Sequence, residues 1–321
     1  MTARVLASGL LAVLVLLGLT GAARHMAQAR SAAPPARFFF AGDGHLVLQH
    51  AYFDTTLDVR YRRPDGRYDA AALGRIQHFF RSREDGREAP VSLRLIELLG
   101  FVEQRFHPRH MVLLSGYRSP EFNTDLRSSG RAVAQASLHT EAMAADVTFA
   151  GVDMARLWRQ LRELHTGGVG FYRANKFLHI DTGPPRFWEA TTSRVDENLS
   201  AGNARMFLRT DFDRYDSVRG AVCGLHSVTA FPLRIQARAE LTGPNGTTAV
   251  SLEPTDGARP AEGGCFAITA PAERYEFRVA EVAGGAGVSP GRQQIVLSTC
   301  EPREGKTPAQ VTSNPIEVLG R

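Results

Sequence analysis

Lysine is almost absent from this sequence. Only Lys176 and Lys306 stand among 38 basic residues, so arginine carries nearly all the positive charge of a chain with net charge +5. Cysteine is scarce as well, with Cys223, Cys265 and Cys300 all in the last third. The 2 tryptophans, Trp158 and Trp188, are not interleaved with any dense basic run. Each shortage excludes something. Without basic runs and interleaved aromatics there is no electrostatic footprint for nucleic acid, and no such partner is expected. Without cysteine before residue 223, a metal site in the first two thirds must be built from His, Asp or Glu. In an oxidising compartment two of the three cysteines can pair and one is left over, and their spacing does not choose between the pairings.

What is present points to an exported globular protein. A chain of 321 residues, 43% hydrophobic and 22% charged, can form two domain-sized cores and is not a disordered polymer. Its mildly basic character can favour anionic partners such as cell-wall polymers. Arg4 precedes an uncharged stretch from Val5 to Ala23 that includes LASGLLAVLVLLGL, and Ala27-Gln28-Ala29 suits a small-x-small cleavage site. Residues 1–29 therefore read as a secretory signal peptide, with periplasmic or other cell-envelope localisation expected. The same stretch nearly suffices to span a bilayer, so a membrane is a partner only if this segment is retained. Nothing in the sequence sets an oligomeric state.

After a linker at residues 30–37 (RSAAPPAR), short strands and turns give way to helices. Asp69 can cap a helix with Leu73, Ile76 and Phe80 on one face. A second helix starts near Ser92, with Leu95, Leu99, Val102 and Phe106 inward. A buried strand, Met111 to Leu114, leads to Ser119-Pro120, the cap and first residue of a helix reaching about Ser128. Ala145 to Phe149 is a strand, and Asp153 caps a helix with Leu157, Leu161 and Leu164 inward, stopped by Gly167-Gly168. Val169–Tyr172 and Phe177–Asp181 form a hairpin. The expected fold over residues 38–195 is α+β, a small antiparallel sheet with flanking helices. From about residue 205 the pattern becomes period two, as in Leu233, Ile235, Ala237, Ala239 and Leu241, broken by Gly/Pro turns. Residues 205–321 are expected to form an all-β, sandwich-like domain.

The chemistry concentrates in SLHTEAMAAD, residues 137–146, and FLHIDTG, residues 177–183. A loop entering a strand can bring His139 and Asp146 to one point. On the second strand His179 and Asp181 share a face with Phe177. Two histidines and a carboxylate are the open ligand set of a catalytic zinc, which would polarise a carbonyl and lower the pKa of water to about 7. A lone strand histidine is more often merely packed, and His-x6-Asp alone is a weak pattern.

SGYRSPEFN, SLHTEAMAAD, GGVGFY and FLHIDTG, in this order, resemble the murein endopeptidase K family, within the superfamily of zinc D-Ala-D-Ala metallopeptidases, lysostaphin-type enzymes and hedgehog domains. The resemblance spans about residues 38–190. It implies an exported zinc metallopeptidase that hydrolyses amide bonds in peptidoglycan peptide cross-links, with zinc as cofactor and stem peptides as partners. It implies metal ligands at His139, Asp146 and His179, and Arg118 gripping a substrate carboxylate, with Ser137 a further substrate contact. Two positions depart from the relatives. Ala142 stands where many have Gly, a conservative change if the backbone there is not left-handed. Lys176 and Phe177 stand where different branches place a general base, which leaves Asp181 and Glu141 as candidates. Asp181 could equally orient a ligand histidine. The alternatives are a D-Ala-D-Ala carboxypeptidase, against which Lys176 counts, and a non-catalytic peptidoglycan-binding scaffold.

Overall fold

The structure is a computed structural model that describes residues 36–129, 137–190, 202–272, 274–283 and 288–320. The expected signal peptide and most of the linker lie outside the described residues. Among the described residues, no helix is long and apolar enough to cross a membrane.

The first half mixes helices with one sheet, as the α+β expectation has it. Strands β1 (His45–His50), β2 (Thr56–Arg60), β3 (His110–Ser115), β4 (Ala144–Ala150), β5 (Gly168–Tyr172), β6 (Phe177–Asp181) and β7 (Arg186–Glu189) form a seven-stranded sheet in the order β2-β1-β3-β4-β6-β5-β7. The sheet is larger than expected and not purely antiparallel, because β1 pairs with β3, and β5 with β7, in parallel. Both parallel pairs are made across long crossovers, a feature that local residue patterns do not encode.

The helices follow their caps. α1 (Ala70–Phe79) starts where the Asp69 side chain accepts from the Ala72 N–H. α2 (Leu93–Phe106) buries Leu95, Leu99 and Val102, and Phe106 packs part-buried against the same core. α3 (Pro120–Ser128) opens with the Ser119 hydroxyl accepting from the Phe122 N–H at 3.1 Å, leaving Pro120 where no N–H is needed. α4 (Met154–Leu164) is capped by Asp153, which accepts from the N–H groups of Ala155 and Arg156. One expectation on this helix fails. Leu157 and Leu161 are buried, but Leu164 is 41% exposed. The helix ends one residue later, at His165 in a left-handed conformation with φ 53°. The chain leaves the helix before it reaches Gly167 and Gly168, so these are not the stop signal.

Among the described residues, the regular elements of the second half are strands apart from one short 3-10 turn: β8 (Phe207–Thr210), β9 (Arg214–Tyr215), β10 (Val222–His226), β11 (Leu233–Gly243), β12 (Gly246–Asp256), β13 (Arg259–Ala261), β14 (Cys265–Ile268), β15 (Glu276–Val282), β16 (Gly291–Thr299), β17 (Gln310–Thr312) and β18 (Ile316–Val318). Hydrogen bonds join all eleven into one network in which β11 pairs with β12, β14 and β16. Alternation predicts its core well, since Leu233, Ile235, Ala239 and Leu241 are buried and Ala237 partly so. Cys265 and Cys300 form a disulfide, and Cys223 is a buried free thiol.

Each half has its own hydrophobic core. A third, smaller cluster joins Leu138, Met143 and Ala144 of the first half to Phe207 of the second. An ion pair between Arg94 and Asp213, together with an Arg94 bond to the Thr210 carbonyl at 3.0 Å, ties α2 to the strands beyond residue 205.

Candidate metal centre

Three neighbouring elements carry the site. β4 and β6 are antiparallel, and their register sets Asp146 directly opposite His179. His139 lies in a 3-10 turn, Leu138–Glu141, that feeds into β4. The register places the strand residues, and the turn brings His139 over them. His139, Asp146 and His179 each offer one ligand atom within 4.8 Å of the others, and all three are buried.

The hydrogen bonds identify the atoms. His139 Nδ1 lies 2.7 Å from the Gly116 carbonyl oxygen, which can only accept, so Nδ1 carries the proton and Nε2 keeps a lone pair. His179 Nε2 lies 3.0 Å from Asp181 Oδ2, so that nitrogen is the donor and Nδ1 faces inward. His139 Nε2 and His179 Nδ1 are 3.2 Å apart, and Asp146 Oδ1 is 3.3 and 3.0 Å from them. Three acceptors facing one another need a positive charge between them, either a proton or a metal ion. Metal–nitrogen distances of about 2.0–2.1 Å in a tetrahedral zinc site imply ligand separations of about 3.3 Å, so the donor set fits that ion.

The surroundings tune these groups in different directions. Burial, reinforced by the Arg118 guanidinium, pushes the His139 imidazole down to about 4. Burial would also lower His179, but the carboxylates of Asp146 and Asp181 on its two sides outweigh it and hold its pKa above the usual value. Burial would raise Asp146, yet His139, His179 and Arg118 hold its carboxyl well below the ordinary range. In the absence of metal, the proton that the three acceptors demand therefore belongs on His179.

Asp181 is completely buried and fully occupied. Its Oδ1 accepts from the N–H groups of Gly168 at 3.0 Å and Gly183 at 2.8 Å. Its Oδ2 accepts from Arg186 at 2.7 Å besides meeting His179. The alternation along β6 brings Asp181 to His179, as the sequence implies, but to the outer nitrogen. Placed there, Asp181 can orient the His179 ring. Crowding along β5 accounts for two of the three glycines of GGVG. A Cβ on Gly168 would fall 2.2 Å from Asp181 Oδ2, and one on Gly170 would fall 2.4 Å from the Trp188 ring. That ring stands 5.3 Å from the His179 ring, with Gly170 in register between them.

Glu141 points elsewhere. Its carboxylate bonds His226 Nδ1 at 2.6 Å and accepts from the Ser227 N–H at 2.9 Å, both contributed by the strand-rich half. Ala142, which follows it, does take the left-handed conformation, with φ 51°. The change from glycine is therefore not neutral, since an L side chain there carries strain.

Arg118 donates to Asp146 Oδ2 at 2.6 Å and to Ser115 Oγ at 2.9 Å. Both it and Asp146 line a groove of about 360 Å³. Ser137 does not line it. That residue is buried, and its carbonyl accepts from Thr140 Oγ1 at 2.6 Å, which closes the turn. Lys176, with φ 55°, stands in the turn between β5 and β6. Sequence reasoning passed over Arg186, Trp188, His226 and the Gly116 carbonyl. Arg186 and Trp188 stand in the run that continues FLHIDTG, whereas His226 lies 85 residues from Glu141 with no local signal.

The sequence profile described as peptidoglycan L,D-endopeptidase MepK matches residues 43–188. The peptidoglycan L,D-endopeptidase MepK of Escherichia coli strain K12 is 36% identical over 126 residues, which is 39% of this chain and 69% of that protein. The Shigella flexneri protein of the same name matches to the same extent. The probable peptidoglycan L,D-endopeptidase MepK of Haemophilus influenzae is 28% identical over 124 residues, 38% of this chain and 67% of that protein. No solved structure matches the chain.

Proposed function

The chain belongs to the peptidoglycan L,D-endopeptidase MepK family, and on that premise we propose that it is an exported zinc metallopeptidase hydrolysing peptide cross-links of peptidoglycan. The observation that carries this reading is the meeting of three lone pairs from His139 Nε2, Asp146 Oδ1 and His179 Nδ1 in a pocket that demands a cation. Those atoms would hold the zinc. Bound there, zinc would supply Lewis-acid polarisation of the scissile carbonyl and a lowered pKa for water.

The chain's own residues prepare that chemistry. Asp181 holds the proton on His179 Nε2 and so keeps the Nδ1 lone pair turned inward, the usual work of a carboxylate behind a ligand histidine. The Gly116 carbonyl does the same for His139. Arg118 balances the outer oxygen of Asp146 and, from the groove wall, orients an anionic part of the stem peptide. The disulfide suits an oxidising compartment, which supports a periplasmic site of action.

Purified zinc-loaded protein incubated with L,D-cross-linked dimeric muropeptides tests the reading, and conversion to monomers is expected. Release of terminal D-Ala without loss of dimers would make it a carboxypeptidase. One observation favours a second reading, a non-catalytic binder: Asp181 and Glu141, the two carboxylates considered as general base, are both engaged by other groups. Retained binding of muropeptides with no cleavage would decide for that alternative.

A further inference from the structure

The groove beside the candidate metal centre carries more positive charge than one substrate contact requires. Arg81, Arg83 and Arg118 all line it, and among its described lining residues the only carboxylate is Asp146, already engaged by Arg118. Arg81 lies with its guanidinium carbon 3.9 Å from the centre of the Phe53 ring and donates to the His78 carbonyl at 2.7 Å. Among the described residues no carboxylate lies within ion-pairing distance of it. Arg83 lies over the Tyr52 ring at 4.5 Å and, among the described residues, pairs only with its exposed neighbour Glu84 at 3.0 Å, a contact of little strength in water. Aromatic faces lie against both guanidiniums; Arg81 spends one N–H group on the His78 carbonyl and Arg83 two on Glu84, and their other N–H groups are available to a ligand.

His50 lines the same groove, only 8% exposed, its ring 4.3 Å from that of Phe53, the ring that carries Arg81, and 5.3 Å from that of Phe79. Its Nδ1 accepts from the Tyr52 N–H at 3.1 Å, which leaves Nε2–H as its donor on the groove wall. Burial, with Arg81 and Arg83 adding to it, pushes this imidazole down to about 4, so it is a neutral donor at physiological pH. A buried neutral donor sharing one groove with two guanidiniums suits an anion, and the planar fork of arginine matches a carboxylate.

We propose that His50, Arg81 and Arg83 form a second carboxylate-binding subsite, which takes a free carboxylate of the peptide substrate distinct from the group facing Arg118. The proposal rests on the hydrolase reading above and deepens it, because the substrate becomes a cross-linked peptide with at least two free carboxylates along the groove. Losing the carboxylate, or the arginine that binds it, should weaken binding while leaving the reacting atoms in place.

The test uses two cross-linked muropeptide dimers that differ only in whether one side-chain carboxylate is free or amidated. For the wild-type zinc-loaded protein, amidation should raise KM about 10- to 100-fold, the range for a lost hydrogen bond to a charged group, with kcat little changed. Arg81→Gln and Arg83→Gln should raise KM for the free acid and abolish the preference between the two substrates. Arg81→Lys and Arg83→Lys keep the charge without the fork and should lose part of the preference, and they serve if a glutamine variant does not fold. Folded variants that retain the full wild-type preference, or a wild-type protein indifferent to amidation, would overturn the subsite. If the wild-type protein cleaves neither dimer, the hydrolase reading fails on its own. Equilibrium binding of the same two peptides then decides the subsite: a preference for the free acid that the variants lose supports it, and equal binding overturns it.

Discussion

Replacing Asp181 with asparagine separates two roles for this carboxylate. Four donors converge on Asp181: the N–H groups of Gly168 and Gly183 on one oxygen, and Arg186 and His179 on the other. Asparagine offers one acceptor oxygen and a donating amide. If the oxygen keeps the two backbone groups, the amide meets Arg186 and His179 Nε2, both donors. Arg186 is 45% exposed at its side chain and can turn to water at little cost. His179 cannot, and relieves the clash by giving up its Nε2 proton and keeping one on Nδ1, the atom turned toward His139 and Asp146. The other amide orientation leaves two buried N–H groups without an acceptor, each worth about 1–3 kcal/mol. The expected result is a loss of about 1–3 kcal/mol in the stability of the metal-free protein. Zinc affinity should fall about 10- to 100-fold, as for loss of a carboxylate behind a ligand histidine. Chelator competition on wild-type and Asp181→Asn protein measures the affinity, and denaturant unfolding of the metal-free forms measures the stability. Unchanged zinc affinity with turnover lowered about 100- to 10,000-fold would refute the orienting role and return Asp181 to proton transfer.

Three further outcomes are expected. Elemental analysis should find about one zinc ion per wild-type chain, and His139→Ala and His179→Ala should each abolish it; a wild-type protein purified without chelators yet free of metal would sink the metal centre. Phe207→Ala empties the small cluster holding Leu138 and Met143 around the His139 turn; it should cost about 3 kcal/mol in unfolding and weaken zinc binding, whereas full zinc affinity would show that the strands beyond residue 205 do not support the site. His50, buried and lowered to about 4, takes up its proton in the unfolded chain at about 6.5, so its contribution is intact above 6.5 and lost as pH falls toward 4. Unfolding of wild type against His50→Gln should therefore diverge by about 1–3 kcal/mol over that window, with the wild type losing more, and parallel curves would contradict it.

Much of this protein was settled by residues acting on near neighbours. Asp69, Ser119 and Asp153 cap helices because a short side chain reaches the N–H two or three residues on, and neither tertiary contact nor topology can move that bond far. Alternation in β11 likewise sorted inward from outward residues, and in β6 it put His179 and Asp181 on one face, so the pairing of those two was legible in advance. The tertiary structure decided what depends on register and on distant chain. Which nitrogen of His179 faces Asp181, and which faces Asp146, follows from β6 lying against β4 with Asp146 opposite His179. Gly168 is small because the Asp181 carboxylate, 13 residues away, occupies the space beside it, not because a helix must stop. Glu141 is drawn off by His226 and Ser227 from the other half of the chain. Arg81, Arg83 and His50 become neighbours of Arg118 only when β1, α1 and β3 pack together around one groove. Local sequence carries propensities and the chemistry of each side chain; which charges share a cavity is set by contacts between residues far apart in the chain, and those exist only once the sheet has closed.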